Sequence, residues 1–254
     1  MGTHLIAYVF WFWYAIGLIL LLFLQVPEML RFANGAFLFF YALYALYLDR
    51  HTPGSRKLFF GRAIAVAVIA FVVEWVGTKT GWPFGAYSYS TVLGEALGGV
   101  PLAIGFAWIG VVTNGVTIAR ARTLGWRALE VGCWALAFDA VLDPVAYARG
   151  FWTWYDTGVY YGIPAQNFAG WFVLAALLSL LFPIREVQGK VLEQARRLYQ
   201  GVLLMFGLLA LKSNLFLAFL VAIVVIALVE FRDRRSERWM WGSTIGSARE
   251  GGSE

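Results

Sequence analysis

The chain has 254 residues, of which 61% are hydrophobic, 18% aromatic and only 14% charged, and its mean hydropathy is +0.70. A soluble domain is about 25% charged, so this composition excludes a soluble enzyme and predicts an integral membrane protein. A single cysteine, Cys133, excludes an internal disulfide, and two distant histidines, His4 and His51, exclude a histidine-rich metal site. The two common glycine-rich nucleotide motifs are absent from the sequence.

Eight apolar runs predict an all-α, polytopic transmembrane helix bundle. The first run has 20 uncharged residues, enough to span the bilayer as a helix, and we expect it to be kept rather than cleaved as a signal peptide. The seventh run is short and is expected to begin near Val191, so the alternative count is seven spans. The runs are Leu5–Leu24, Phe32–Leu48, Ala63–Gly77, Pro101–Ala119, Ala128–Leu142, Asn167–Phe182, Tyr199–Leu211 and Leu215–Phe231.

Lysine and arginine alternate between frequent and rare in the successive connections between these runs. Sixteen of the 20 fall on the side that also carries both termini, and by the positive-inside rule that side is cytoplasmic. Topology thus accounts for the net charge of +5, and no nucleic-acid partner is needed. We predict an integral protein of a prokaryotic cell membrane, with one membrane domain over residues 1–240 and a flexible cytoplasmic tail over residues 241–254.

Two segments of the chain look like copies of each other. Gly-Val-Pro at 99–101 is followed seven residues later by Trp108, and Gly-Ile-Pro at 162–164 is followed seven residues later by Trp171. A loop rich in glycine and aromatic residues precedes each motif, and an acidic residue within a helix precedes each loop. This pattern predicts a parallel internal repeat of helices 3–4 and 5–6, over residues 63–119 and 128–182. The interface between such repeats often forms the binding site of a membrane protein.

Three acidic residues lie inside predicted spans, where an ionisable group is unfavourable and marks a candidate site. They are Glu74 in helix 3 and Asp139 and Asp143 in helix 5. The four-residue spacing places both aspartates on one face of their helix. Both helices run from inside to outside, so all three carboxyl groups approach the outer boundary, where Asn167 also enters helix 6. We predict that Glu74, Asp139 and Asp143 are catalytic and that they hold no metal.

Two carboxyl groups that are close together in a low-dielectric setting do not both ionise easily, so we expect the aspartates to share one proton. An acid beside a base suits general acid–base catalysis on an uncharged lipid. Aromatic ring faces would stabilise a carbocation by about 2 kcal/mol each when desolvated. The predicted substrate-binding residues are Asn167 and the aromatic residues Trp82, Phe84, Tyr87, Tyr89, Trp108, Trp152, Trp154, Tyr155 and Trp171.

The same residues carry a resemblance to a known family. The stretches at 74–77, 81–89, 99–101, 139–144, 150–154, 162–164 and 167–171 resemble the membrane-embedded carotenoid hydratases. Members of that family include γ-carotene 1′,2′-hydratases and bisanhydrobacterioruberin hydratases, which are grouped as carotenoid biosynthesis proteins. The resemblance is strongest from about Glu74 to Trp171, and the other helices share only general hydrophobicity with it.

The resemblance implies that water is added across the terminal C1=C2 double bond of an acyclic carotenoid end, by a hydro-lyase that needs no cofactor. The substrate would be similar to lycopene or γ-carotene and dissolved in membrane lipid, and other enzymes of the carotenoid pathway are candidate partners. We expect a protonated carboxyl of the aspartate pair to protonate the alkene. Water held by the partner carboxylate, with Asn167 or Glu74, would then capture the tertiary cation. The spacing leaves open which acid has which role.

Three other functions fit parts of the sequence. The D-x-x-x-D spacing of Asp139 and Asp143 could hold Mg²⁺ and a diphosphate in a membrane prenyltransferase, although one such motif is a weak signal. A carotenoid cyclase would begin with the same protonation, but an internal double bond would capture the cation. A transporter could use the three acids to carry protons or ions, but long aromatic loops suit an enclosed apolar ligand better.

Overall fold

A computed structural model describes residues 5–24, 28–30, 32–52, 54 and 58–232; the predicted tail at 241–254 lies outside this part of the chain. The fold is mostly helical, as predicted. The helices are α1 (Leu5–Phe23), α2 (Phe32–Arg50), α3 (Phe59–Thr80), α4 (Ala103–Ile118), α5 (Leu124–Ala148), α6 (Ala165–Ser179), α7 (Gly189–Lys212) and α8 (216–232), with short 3₁₀ turns at Glu28–Leu30 and Thr91–Leu93.

Within the described residues, α1, α2, α3 and α5 are long and apolar enough to cross a membrane, whereas α4 and α6 are shorter apolar helices. The seventh helix begins at Gly189, so it includes the polar residues before the apolar run at 199–211. A turn at 213–214 separates it from α8. The number of spans, eight or seven, stays a prediction.

The fifth helix continues beyond its apolar run, which ends at Leu142, because the structure accommodates Pro144. Proline has no N–H, so the carbonyl of residue 140 loses its helical partner. The hydroxyl of Tyr160 donates to that carbonyl at 2.8 Å. With this bond in place α5 extends to Ala148, so Asp143 lies within its last two turns and Asp139 lies one turn deeper.

The connections that are rich in arginine meet at one end of the bundle. Buried Arg185, after α6, pairs with Asp49 and donates to Thr52 at the end of α2. Arg127 at the start of α5 donates to the carbonyl of Ser179, the last residue of α6, and to those of Phe182 and Pro183 just beyond it. These bonds satisfy carbonyls that a helix end leaves without partners. We call this the basic end, and the opposite end the loop end.

At the loop end, the two aromatic loops pair with each other through strands β1 (Tyr87–Tyr89) and β4 (Trp152–Trp154), which an all-α fold did not predict. The strands are antiparallel, and Tyr87 faces Trp154 and Tyr89 faces Trp152. In a strand, alternate side chains share a face, so the aromatic residues of both strands turn together toward the bundle. A second pair, β2 (Ala96–Leu97) and β3 (Val100–Pro101), forms a short hairpin.

Candidate active site

A cavity of about 350 Å³ lies in the half of the bundle nearest the loop end. Its wall is mostly apolar and aromatic, and each of the helices α1 to α7 contributes residues to it. The strands β1 and β4 cover it. Three of the residues predicted to form the site, Glu74, Asp143 and Asn167, interrupt the apolar wall. The structure therefore places carboxyl groups against a space that suits an apolar ligand.

Three side chains donate hydrogen bonds to the buried carboxylate of Glu74. Tyr87 and Tyr89 donate their hydroxyls to Oε2 at 2.5 and 2.9 Å, and Trp108 donates its indole N–H to Oε1 at 2.9 Å. Both oxygens accept, and hydrogen bonds to an ionised acceptor are the strong ones. This arrangement suits an ionised Glu74.

Burial raises the pKa of both tyrosines, and the charge of the neighbouring Glu74 raises it further. The hydroxyls of Tyr87 and Tyr89 therefore stay protonated, as neutral donors, across the physiological range of pH. The two tyrosines therefore remain hydrogen-bond donors to Glu74 throughout this range of pH.

The two aspartates on α5 share one donor. The amide Nδ2 of Asn167 lies 2.8 Å from Oδ2 of Asp139 and 2.7 Å from Oδ2 of Asp143. The indole N–H of Trp152 donates to the other oxygen of Asp143 at 2.6 Å. Asp143 lines the cavity, whereas Asp139 lies behind it and is fully buried. Among the described residues, Oδ1 of Asp139 has no hydrogen-bond partner.

The surroundings of Glu74 and Asp143 correspond. Each acid lies seven residues before a glycine with a left-handed backbone at the end of its helix, Gly81 at φ 74° and Gly150 at φ 70°; glycine adopts this conformation without strain. Each acid accepts from an aromatic residue of the following strand and from a residue of the next helix. Trp108 and Trp171, the matching residues of the two proposed repeats, stack with ring centroids 4.4 Å apart. The internal repeat stays a prediction, and these correspondences support it.

Eight of the ten predicted substrate-binding residues line the cavity. They are Phe84, Tyr87, Tyr89, Trp108, Trp152, Trp154, Asn167 and Trp171. The structure does not bring the other two to the cavity, because Trp82 is 71% exposed and Tyr155 is 67% exposed. The hydroxyl of Tyr155 instead bonds the hydroxyl of Ser88 on the outer side of the sheet, at 2.7 Å. A role for Trp82 or Tyr155 in binding stays a prediction.

Sequence reasoning missed the part of the wall that comes from the first two helices and from α7. It includes Trp13 and Gly17 of α1, Tyr41 of α2 and Met205 of α7. These are apolar or aromatic residues in apolar helices, so nothing in the sequence separates them from residues that face lipid. Arg149 after α5 also lines the cavity, and the charge pattern of the connections does not single it out.

The comparisons with known proteins give the class of protein first. The chain matches the family described as carotenoid biosynthesis protein over residues 32–230, and it belongs to that family, which confirms the resemblance found in its motifs. It is also similar to a bisanhydrobacterioruberin hydratase of Haloarcula japonica, at 35% identity over 126 residues. That match covers 47% of this chain and 43% of the relative, so it spans less than half of either protein. No solved structure matches the chain.

Proposed function

We propose that this protein is a carotenoid hydratase that adds water to the terminal double bond of an acyclic carotenoid end by acid–base catalysis. One observation carries the proposal: a pair of aspartates, joined by Asn167, stands in the wall of a cavity that is otherwise largely apolar. A hydrocarbon with a trisubstituted double bond fits such a space, and its protonation needs an acid that survives there in the neutral form. Membership of the carotenoid biosynthesis family and the name of the Haloarcula relative support the same chemistry.

In this proposal, Asp143 transfers the proton, because it is the member of the pair that lines the cavity. Asp139 lies one helical turn away on the same face, and the two carboxyl groups share one proton. Repulsion between like charges keeps that proton on the pair, and Asp143 delivers it to the substrate. The O–H bond of Asp143 breaks, a C–H bond forms at the less substituted alkene carbon, and a tertiary cation remains. Asp139 is therefore a positioning residue that acts through its neighbour.

The cation forms beside an ionised carboxylate and several aromatic faces. The charge of Glu74 and the rings of Trp108 and Trp171 stabilise it in a setting that excludes bulk water. Water then forms a C–O bond at the tertiary carbon, and its released proton returns to Asp143. The sum is alkene plus water giving a tertiary alcohol, with the acid regenerated.

The donor set around the aspartates speaks against the prenyltransferase alternative. Three of the four carboxyl oxygens of Asp139 and Asp143 accept hydrogen bonds, from the indole of Trp152 or the amide of Asn167. A bound Mg²⁺ would need the same oxygens as ligands. Within the part of the chain that the structure describes, no group of three or more His, Cys, Asp or Glu side chains could hold a metal ion. A cyclase would use the same first step and is separated from a hydratase by the product.

The test uses the full-length protein in detergent or lipid discs, with lycopene as substrate in ¹⁸O-labelled water. We expect a product heavier by one water that carries the label, and its loss in Asp143→Asn. Glu95→Gln is the matched control, because this carboxylate is exposed in the hairpin at the loop end and should leave turnover unchanged. An isomer of unchanged mass would identify a cyclase. Unaltered pigment, or full activity in Asp143→Asn, would refute the proposed mechanism.

A further inference from the structure

The cavity is much shorter than a carotenoid. On α5 its lining runs from Phe138 to Ala146 and on α1 from Trp13 to Leu21, in each case about 12 Å at 1.5 Å per residue. A C40 polyene is about as long as the hydrocarbon core is thick, roughly 30 Å. If one end of such a molecule reaches the carboxylates, more than half of its length must lie outside the cavity.

A bound polyene cannot continue straight on toward the basic end, because packed side chains close the cavity on that side. Tyr41 and Phe138 stack there with ring planes 3° apart and centroids separated by 6.2 Å, and Val202 of α7 closes the same side. All three side chains are buried and packed into the hydrophobic core. Separating these packed side chains to admit a ligand would destabilise the fold. A long ligand must therefore leave through a side wall.

One side wall of the cavity is the half of α1 that lies nearest the loop end. The other half is anchored by buried Phe10 and Tyr14, and the hydroxyl of Tyr14 donates to the carbonyl of Gly201 on α7 at 2.8 Å. From residue 15 to residue 23, no side chain of α1 is buried. Partly buried Leu18, Leu21 and Leu22 pack against the core, and Lys212 of α7 donates to the carbonyl of Leu21 at 2.7 Å. Residues 15–17 lie between these contacts and Tyr14, and there a single helix forms the wall of the cavity.

Gly17 lies in the middle of that half and lines the cavity. A Cβ atom built on Gly17 would meet no atom within 4 Å, unlike the one built on Gly201, which would lie 2.7 Å from Trp11. The absence of a side chain at Gly17 is therefore not required by packing between helices. It leaves an open space at this point of the wall, where α1 borders the cavity.

We propose that the half of α1 nearest the loop end, centred on Gly17, forms a lateral passage that holds the polyene chain where it leaves the cavity for the bilayer. The proposal rests on the proposed function, since it assigns the reacting end to the cavity and the remaining chain to this passage. It makes Gly17 a specificity-determining residue, which favours acyclic isoprenoids whose chain extends past α1 over ones short enough to be enclosed.

The experiment compares two hydrocarbons with the same isopropylidene end, lycopene (C40) and myrcene (C10). Gly17→Trp fills the open space beside the cavity, and we expect the ratio of kcat/KM for lycopene to that for myrcene to fall by about tenfold or more. Ile19→Trp is the matched control, because Ile19 is 55% exposed on the opposite face of α1 and should preserve the ratio. An unchanged ratio in Gly17→Trp, or an equal fall in Ile19→Trp, would overturn the passage.

A second measurement separates this proposal from the proposed function. The inactive Asp143→Asn protein, extracted from a host that accumulates lycopene, should retain pigment, and the double variant with Gly17→Trp should retain several-fold less per protein. Equal retention by the two proteins would overturn the passage while leaving hydration intact. Wild-type protein that neither binds nor converts lycopene would overturn the proposed function itself, and with it the passage.

Discussion

At the scale of single residues, the three carboxyl groups of the site have different surroundings and therefore different proposed roles. Asp139 and Asp143 share the amide of Asn167, yet only Asp143 lines the cavity and accepts from Trp152. Glu74 has three donors of its own. Position relative to the cavity and the number of donors, rather than residue type, separate a proton donor, a positioning residue and an ionised stabiliser.

The first prediction separates the two aspartates by the pH dependence of turnover. Asp143→Asn should abolish activity at every pH, since it removes the group that touches the substrate. Asp139→Asn should remove the repulsion that keeps a proton on the pair, so that the remaining Asp143 ionises more easily. Activity should then disappear at a lower pH than in the wild type as the pH rises, and acidification should restore part of it. Profiles of kcat/KM for both variants test this, and a uniform loss in Asp139→Asn would argue that both residues are catalytic.

The second prediction concerns the shared donor. Asn167→Ala leaves two buried carboxyl groups without the amide that joins them, and each hydrogen bond to a charged group is worth about 1.5–3 kcal/mol. We expect a stability loss of about 2–4 kcal/mol, together with loss of turnover. Thermal unfolding in detergent measures the first quantity. A variant as stable as the wild type would mean that Asn167 does not hold the pair together.

At the scale of elements, the short sheet is the part of the site that positions aromatic donors. Ser90 N–H donates to the carbonyl of Phe151 at 3.0 Å, and Tyr155 N–H donates to that of Ala86 at 2.8 Å. These bonds flank the pairing of Ser88 with Thr153, so the alternation of an antiparallel ladder makes Ser88 and Thr153 a hydrogen-bonded pair as well.

The third prediction tests that ladder. Thr153 is exposed, so Thr153→Pro removes a backbone donor without removing a buried side chain, and it should misplace Trp152 and the tyrosines of β1. We expect turnover to fall by about tenfold or more, while helix content by circular dichroism is kept. Thr153→Val preserves the backbone N–H and the strand preference and is the control. Equal activity in the two variants would show that the pairing does not position the site.

The helices that carry the site were predictable from the sequence, but the two short strands and the extension of α5 past Pro144 were not. Apolar runs and an acid–loop–Gly-x-Pro order located α3 to α6 and all three acids. The strands escaped prediction because Tyr-Ser-Tyr and Trp-Thr-Trp are three-residue patterns, too short to identify a strand by alternation. The extension of α5 past Pro144 depended on Tyr160, a residue 20 positions beyond the carbonyl that it bonds, and local sequence does not encode such a partner.

At the scale of the whole molecule, the position of the cavity depends on which helices pack side by side. Motifs located its polar wall, since buried acids are rare in apolar helices. They could not locate the wall formed by α1, α2 and α7, because apolar residues that face a cavity and apolar residues that face lipid have the same composition. Gly17 is an example: only the neighbouring empty space distinguishes it from a glycine at a helix contact.

The fourth prediction concerns orientation, which decides from which leaflet the substrate end and the water approach. The arginine-rich connections meet at the basic end, and the charge bias predicts that this end faces the cytoplasm. The test starts from Cys133→Ala, which removes the single cysteine, and adds either Val159→Cys or Arg122→Cys. Val159 is exposed in the loop after β4, and Arg122 is exposed at the basic end. A membrane-impermeant maleimide should label position 159 in intact cells and position 122 only after permeabilisation. The reverse pattern would place the carboxylates near the cytoplasmic leaflet, and labelling of both from one side would contradict the up-and-down order of the helices.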